Sequence, residues 1–210
     1  MARTIFLIRH GQSEANAEGR VQGWLDSPLS EQGRQQVRRL ARKLSTEADF
    51  YALFTSTLRR ATETAQIIAT HLNCPLNFED DLREYNMGPI SGLTFQEIRE
   101  RFPARHQAFE RNEPLPHLPG TEGEEAFLIR VGQCTDRILQ QVPDNQSALV
   151  VSHSGTLNAC LRNWLGLPNN NRRPFKFNNA SISVVEVTPT NMRLVRLNDT
   201  CHLAGLTTIY

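Results

Sequence analysis

An apolar run, Thr4-Ile5-Phe6-Leu7-Ile8, ends abruptly in Arg9-His10-Gly11, and that junction constrains the fold more than any other stretch of the chain. Such a run fits a strand buried on both faces, as in parallel sheets covered by helices. In open sheets of that kind ligands bind at the carboxyl ends of the strands. An arginine placed there can hold a phosphate bidentately, and a histidine can attack one. By itself the tripeptide is also compatible with a solvated strand edge, so the rest of the chain must supply the other groups.

Strand-like and helix-like patterns alternate along most of the sequence. Ser30 to Leu44 places Val37, Leu40, Ala41 and Leu44 at helical spacing; Ala52 to Thr55 reads as a strand, and about Leu58 to Leu72 as a helix with Ala61, Ala65, Ile68 and Ala69 inward. Pro75 to Phe78 reads as a short strand, Glu124 to Val142 as a helix, Ser147 to Ser152 as a buried strand, and the stretch from Gly155 to about Leu165 as another helix. Ser181 to Val187 and Met192 to Leu197 read as strands split by the turn Thr188-Pro189-Thr190-Asn191. The alternation predicts an α/β fold, a three-layer α/β/α sandwich with a largely parallel central sheet. At 210 residues the chain is expected to form one domain over 1–210. Residues 84–123 break the pattern, with prolines at 89, 103, 114, 116 and 119 and only short helical pieces such as Thr94 to Phe102. They are expected to form a lid-like insertion that shapes a pocket.

Composition removes several classes of function. Lys+Arg 23 against Asp+Glu 22 gives a net charge of +1, too little to steer the chain onto nucleic acid. No stretch approaches the ~20 apolar residues that cross a bilayer, and the N-terminus lacks a signal-peptide pattern. Cys74, Cys134, Cys160 and Cys201 have no C-x-x-C spacing, which argues against a zinc site and against a disulfide framework. A cytoplasmic protein with buried, reduced cysteines is expected.

A second junction parallels the first. Ala148-Leu149-Val150-Val151-Ser152-His153-Ser154-Gly155 is again an apolar strand ending in a histidine, and a helix follows whose N-terminal N–H groups suit an anion. In the segment Thr55 to Ala65, Arg59 and Arg60 occupy a helix start, where the macrodipole disfavours cations unless an anion sits there. Adjacent helical positions diverge by about 100 degrees, so one of the two arginines reaches such a site. In Leu82-Arg83-Glu84-Tyr85-Asn86-Met87-Gly88, Glu84 becomes a general acid if it reaches a leaving-group oxygen.

Taken together, Leu7 to Asn16, Gln22 to Ser30 with Gly33, Ser56 to Ala65, Leu82 to Gly92 and Val150 to Gly155 resemble, in order, the blocks of the histidine phosphatase superfamily, phosphoglycerate-mutase-like branch. The resemblance spans residues 4 to about 187. It implies that His10 is the nucleophile that becomes phosphohistidine, and that Arg9, His153 and Arg60, the arginine directly before the alanine, hold the phosphoryl oxygens. It implies that Glu84 protonates the leaving oxygen and later takes a proton from water, and that Asn16, Gln22 and Gly23 line the substrate pocket. No metal and no cofactor are required, because cations and donors neutralise the equatorial oxygens. His10 should be neutral at its attacking nitrogen, whereas His153 is more useful protonated.

Ser154 departs from the glycine of many relatives, with its N–H kept and a hydroxyl added for substrate; Ile90 stands where many phosphatase-type members have an aromatic residue. The block Tyr85 to Thr94 resembles the phosphatase type rather than the bisphosphoglycerate-dependent mutases, whose insertion is longer. The expected function is therefore a metal-independent phosphatase of small phosphorylated metabolites, with the mutase and a catalytically silent binding protein as alternatives. A homodimer is left open. Arg105, His106, Arg111, His117, Arg172, Arg173 and Lys176 could meet an acidic substrate, though each reads singly as a solvated surface charge; Phe102, Phe109, Leu115 and Leu118 line the pocket or pack the lid. The tail Asn198 to Leu203 returns toward the site edge without an assigned role.

Overall fold

A computed structural model describes residues 2–168 and 173–206. The apolar runs form strands β1 (Arg3–Arg9), β2 (Phe50–Ser56), β3 (Leu76–Glu79), β4 (Ser147–Ser152), β5 (Ile182–Val187) and β6 (Met192–Asp199). They make one six-stranded sheet in the order β3-β2-β4-β1-β5-β6. β3, β2, β4 and β1 run parallel, whereas β5 pairs antiparallel with both β1 and β6. The sheet is thus largely parallel: β5 runs against its neighbours, and the turn at 188–191 reverses the chain again, so the edge strand β6 points with β1.

Strand periodicity decides what each face buries. Ile5 and Leu7 of β1, Ala52 and Phe54 of β2, and Ala148 and Val150 of β4 pack on one side. There they meet helices α6 (Glu124–Gln141) and α7 (Ser154–Trp164) through Val131, Ile138, Leu157 and Leu161. Phe6, Ile8, Leu53, Leu149 and Val151 pack on the other side, against Val37, Leu40 and Leu44 of α2 (Glu31–Leu44) and Ala61, Ala65 and Ile68 of α3 (Arg59–Leu72). Three layers result.

β4 inserts between β1 and β2, so the carboxyl ends of all three strands sit side by side. The register pairs Arg9 with Ser152, and the His10 N–H donates to the Ser152 carbonyl at 3.0 Å. The chain beyond His10 carries the one-turn helix α1 (Glu14–Ala17), and its first residues lie tight against α2. A Cβ on Gly11 would come within 2.7 Å of Val37, so glycine is the residue this approach admits.

The proline-rich segment carries α4 (Phe95–Arg101) and α5 (Pro103–Arg111). Thr94 and Glu97 form a capping box on α4, and Pro103 opens α5 at its first turn, where a missing N–H costs nothing. Phe102, Phe109, Leu115 and Leu118 pack against the core beside α6. Among the described residues no helix is long and apolar enough to cross a membrane. Cys134 and Cys160 are buried, Cys74 is half-buried, and Cys201 is exposed, contrary to the expectation of buried packing; the tail that carries it lies at the protein's edge.

Candidate active site

The sheet's carboxyl edge opens into a cavity of about 410 Å³. Its wall includes Arg9, His10, Asn16, Gln22, Gly23, Arg60, Glu84 and Ser154. His153 is not on that wall. Its ring stands behind the cavity, 5.1 Å from the His10 ring between centroids, with Nε2 at 2.8 Å from the Ser56 hydroxyl.

Each side chain is fixed by its local fold. His10 is buried, and its Nδ1 lies 2.7 Å from the Gly11 carbonyl, which can only accept. Nδ1 therefore carries the proton, and Nε2 keeps its lone pair. Burial, then the charges of Arg60 and Arg9, push the His10 imidazole well below its usual range and hold it neutral. His153 is pushed the same way by burial, Arg60, His10 and Arg9, so the expected protonated ring is instead neutral here. The cations that would share an anion with it disfavour its own charge until that anion arrives.

Arg60 is almost fully buried at the start of α3, donating Nη1 to the Leu25 carbonyl at 2.9 Å and Nη2 to the Gly23 carbonyl at 2.8 Å. Arg59, one position earlier, turns outward to Glu63 at 2.7 Å. Arg9 donates Nη1 to the Phe177 carbonyl at 2.5 Å. Burial lowers both Arg9 and Arg60 to about 10, opposed by the Glu84 charge, and both remain cations at neutral pH.

Glu84 is clamped by two backbone donors, Tyr85 N–H to Oε1 at 2.8 Å and Gly155 N–H to Oε2 at 2.9 Å. Its carbonyl accepts from Trp24 Nε1 at 2.7 Å. The Asn16 amide oxygen accepts from the Ser13 N–H and from Asn179 Nδ2, which leaves its own Nδ2 as the donor toward the cavity. Gln22 accepts the Ser13 hydroxyl at 2.8 Å, which orients it likewise. Ser154 reaches the wall as the first residue of α7.

Several wall residues carried no sequence signal: Arg20, Val21, Met87, Phe95 and Asn179. Asn179 precedes β5, and only the antiparallel pairing of β5 with β1 brings it to His10. Phe109 and Arg173, left open by the sequence, also line the cavity. Ile90 instead is fully buried in the core, and Met87 forms the wall near Glu84. Arg105 is buried rather than solvated, because it lies on the inward face of α5 with Ala108. His106 pairs at its ring with Glu110 at 3.5 Å, Arg111 and His117 are exposed, and Arg172 lies outside the described residues. Among the residues lining the cavity, Arg9, Arg20, Arg60 and Arg173 face a single carboxylate, Glu84. Such a site concentrates anions.

The chain is 35% identical over 202 residues to phosphoserine phosphatase 1 of Hydrogenobacter thermophilus, covering 95% of this chain and 93% of that one. It is 31% identical over 182 residues to a probable phosphoglycerate mutase of Photorhabdus laumondii, covering 87% and 84%. The structure of a mycobacterial glucosyl-3-phosphoglycerate phosphatase superposes with a TM-score of 0.85 at 26% identity, covering 94% of this chain and 99% of that one. The model of the histidine phosphatase superfamily (branch 1) matches residues 5–200. With two strand-end histidines, two buried arginines and a clamped glutamate at one sheet edge, this chain belongs to the histidine phosphatase superfamily.

Proposed function

We propose that this phosphoric monoester hydrolase removes the phosphate of small metabolites, phosphoserine among the candidates, in two displacements at His10. The carrying observation is the His10 ring, neutral, with Nδ1–H committed to the Gly11 carbonyl and Nε2 unprotonated at the cavity. In the first step the Nε2 lone pair forms a bond to phosphorus. The bond from phosphorus to the ester oxygen breaks, and Glu84, charged before substrate binds, gives that oxygen a proton taken up with the substrate. The charge gained by the ring is met by the Gly11 carbonyl on Nδ1–H. In the second step a water oxygen attacks phosphorus while Glu84 takes the water's proton. The phosphorus–nitrogen bond breaks, its electrons return to Nε2, and orthophosphate leaves.

Arg9 and Arg60 supply fixed positive charge to the equatorial oxygens, and Asn16, Gln22 and Ser154 border the substrate. His153 takes up a proton as the dianion binds. These charges perform the neutralisation that a metal performs in other phosphoryl-transfer enzymes, so the reading is metal-independent. A cavity of about 410 Å³ suits a small metabolite.

The test is phosphate release from phosphoserine, phosphoglycerates and p-nitrophenyl phosphate, with and without bisphosphoglycerate, together with acid-labile labelling of the protein. Release without bisphosphoglycerate, unchanged by chelator, with labelling lost in His10→Ala, is the expected result. Isomerisation faster than release would establish the mutase alternative. Turnover that chelator abolishes and magnesium restores would overturn metal independence.

A further inference from the structure

We propose that the C-terminal turn of this chain positions the nucleophile, with His202 as the positioning residue; the inference rests on His10 being the phosphorylated group. Three groups of the loop Phe177 to Ala180 meet the catalytic tripeptide. The Phe177 carbonyl accepts from Arg9 Nη1 at 2.5 Å. Asn179 Nδ2 donates to the His10 carbonyl at 3.1 Å and approaches Asn16 Oδ1 at 3.3 Å. The Ala180 N–H is shared between the Arg9 and His10 carbonyls, at 3.0 and 3.1 Å. His10 thus has its carbonyl held by two donors from one loop.

Within the loop the Ser181 N–H closes a turn on the Asn178 carbonyl at 3.1 Å, and the rest of its support comes from outside. Ala180 is fully buried with φ of 55°, a left-handed conformation that a residue with a Cβ adopts only under strain. Something outside must keep it there. His202 Nε2, as the N–H tautomer, donates to the Ala180 carbonyl at 3.0 Å, and Asn198 Oδ1 accepts the Asn178 N–H at 2.6 Å. The struts come from the end of β6 and the turn after it: Asn198 is tied to β5 by its N–H on the Ser183 hydroxyl at 2.9 Å, whereas His202 is anchored by Leu203, buried in the core beside α2, and by Arg39 Nη1, which donates to the Ala204 carbonyl at 2.7 Å.

The chain of contacts runs His202 to Ala180 to the backbone of Arg9 and His10. Removing the strut lets Ala180 relax out of the left-handed region and shifts the His10 carbonyl, hence the angle at which Nε2 meets phosphorus. A misplacement near 1 Å costs on the order of 10²-fold in a displacement of this kind. The Arg60 fork rests on the Gly23 and Leu25 carbonyls and Arg9 Nη1 keeps the Phe177 carbonyl, so both cations that bind phosphate hold their place. The expected signature is a fall in rate without a fall in affinity.

The experiment is single-turnover phosphorylation of His202→Leu and His202→Gln beside wild type, with p-nitrophenyl phosphate, following acid-labile phosphoenzyme and KM. Glutamine keeps an N–H donor at similar reach. His202→Leu should phosphorylate about tenfold more slowly at unchanged KM, and His202→Gln should recover most of that rate. Asn198→Ala, which removes the second strut, should give the same slow step at unchanged KM if His202→Leu fails to fold. Wild-type rates in His202→Leu, or equal losses in the Leu and Gln variants, would overturn the proposal. Absence of phosphoenzyme in wild type would instead remove the reading of His10 itself.

Discussion

The backbone N–H of Gly155 donates to Glu84 Oε2 at 2.9 Å, joining the helix that follows the second histidine to the carboxylate that faces the first. Glu84 thereby sits at the N-terminus of α7, where a helix favours negative charge. A Cβ on residue 155 would run into that carboxylate.

Gly155→Ala should therefore act as a Glu84 variant while leaving the fold standing. Turnover of alkyl phosphates should fall about 10²-fold, the order contributed by general acid catalysis, and turnover of p-nitrophenyl phosphate should fall less. Steady-state assays with leaving groups of graded basicity check this; equal losses across the series would detach Glu84 from the leaving oxygen.

Arg60→Lys should be far from conservative. The guanidinium bridges the carbonyls of Leu25 and Gly23 from a buried position, and an ammonium on a flexible stem cannot span both in the same geometry. A loss of about 10²-fold in kcat/KM is expected, the magnitude of one lost transition-state donor. Near-wild-type kinetics would show that charge alone suffices there.

His10, His153 and His202 all have pKa values lowered by burial, so each ring binds a proton more readily in the unfolded chain. The sign follows: stability is fully present above the ordinary histidine value of ~6.5 and falls as pH drops below it, by up to about 1.4 kcal/mol per pH unit for each of the fully buried His10 and His153 and by less for the part-exposed His202. Denaturant melts between pH 7.5 and 5.5 should show this, above the window in which carboxylates such as Glu47, held at about 2, titrate. Saturating vanadate should flatten the slope by letting His153 accept its proton; a slope of opposite sign would contradict the neutral rings.

Arg105 has all three guanidinium nitrogens buried without a hydrogen-bond partner among the described residues. Replacing even a paired buried charge with apolar side chains of similar volume is neutral or stabilising by about 1–4 kcal/mol, and a buried cation without a hydrogen-bond partner costs more to keep. Arg105→Met should raise the thermal midpoint, by about 2–4 °C per kcal/mol in a chain of this size. A lowered midpoint in differential scanning calorimetry would show that the charge is compensated.

The sheet strands, their helices and the two histidine junctions were legible because each is a local pattern. Ile5 to Ile8 and Ala148 to Val151 are continuous apolar runs, and Val37, Leu40, Ala41 and Leu44 repeat at helical spacing. The choice of Arg60 over Arg59 came from a family block, whereas its physical reason, a buried fork on two carbonyls, is a tertiary contact. α5 was missed because Pro103 and the prolines that follow masked a nine-residue helix. Arg105 was read as solvated because nothing around it in sequence announces burial.

The sequence by itself determined the sheet strands, the helices that cover them and the kinds of chemical group at each strand end, since these follow from periodicity and residue type. Only the tertiary structure decided that β4 lies between β1 and β2, which sets His153 behind His10, and that β5 runs antiparallel, which delivers Asn179 and Ala180 to the His10 carbonyl. Strand order and direction depend on which distant surfaces bury each other, and no local pattern carries that. The neutral His10 of the proposed mechanism is a product of both: its residue type is written in the chain, and its lowered pKa comes from burial beside arginines that folding alone brings near.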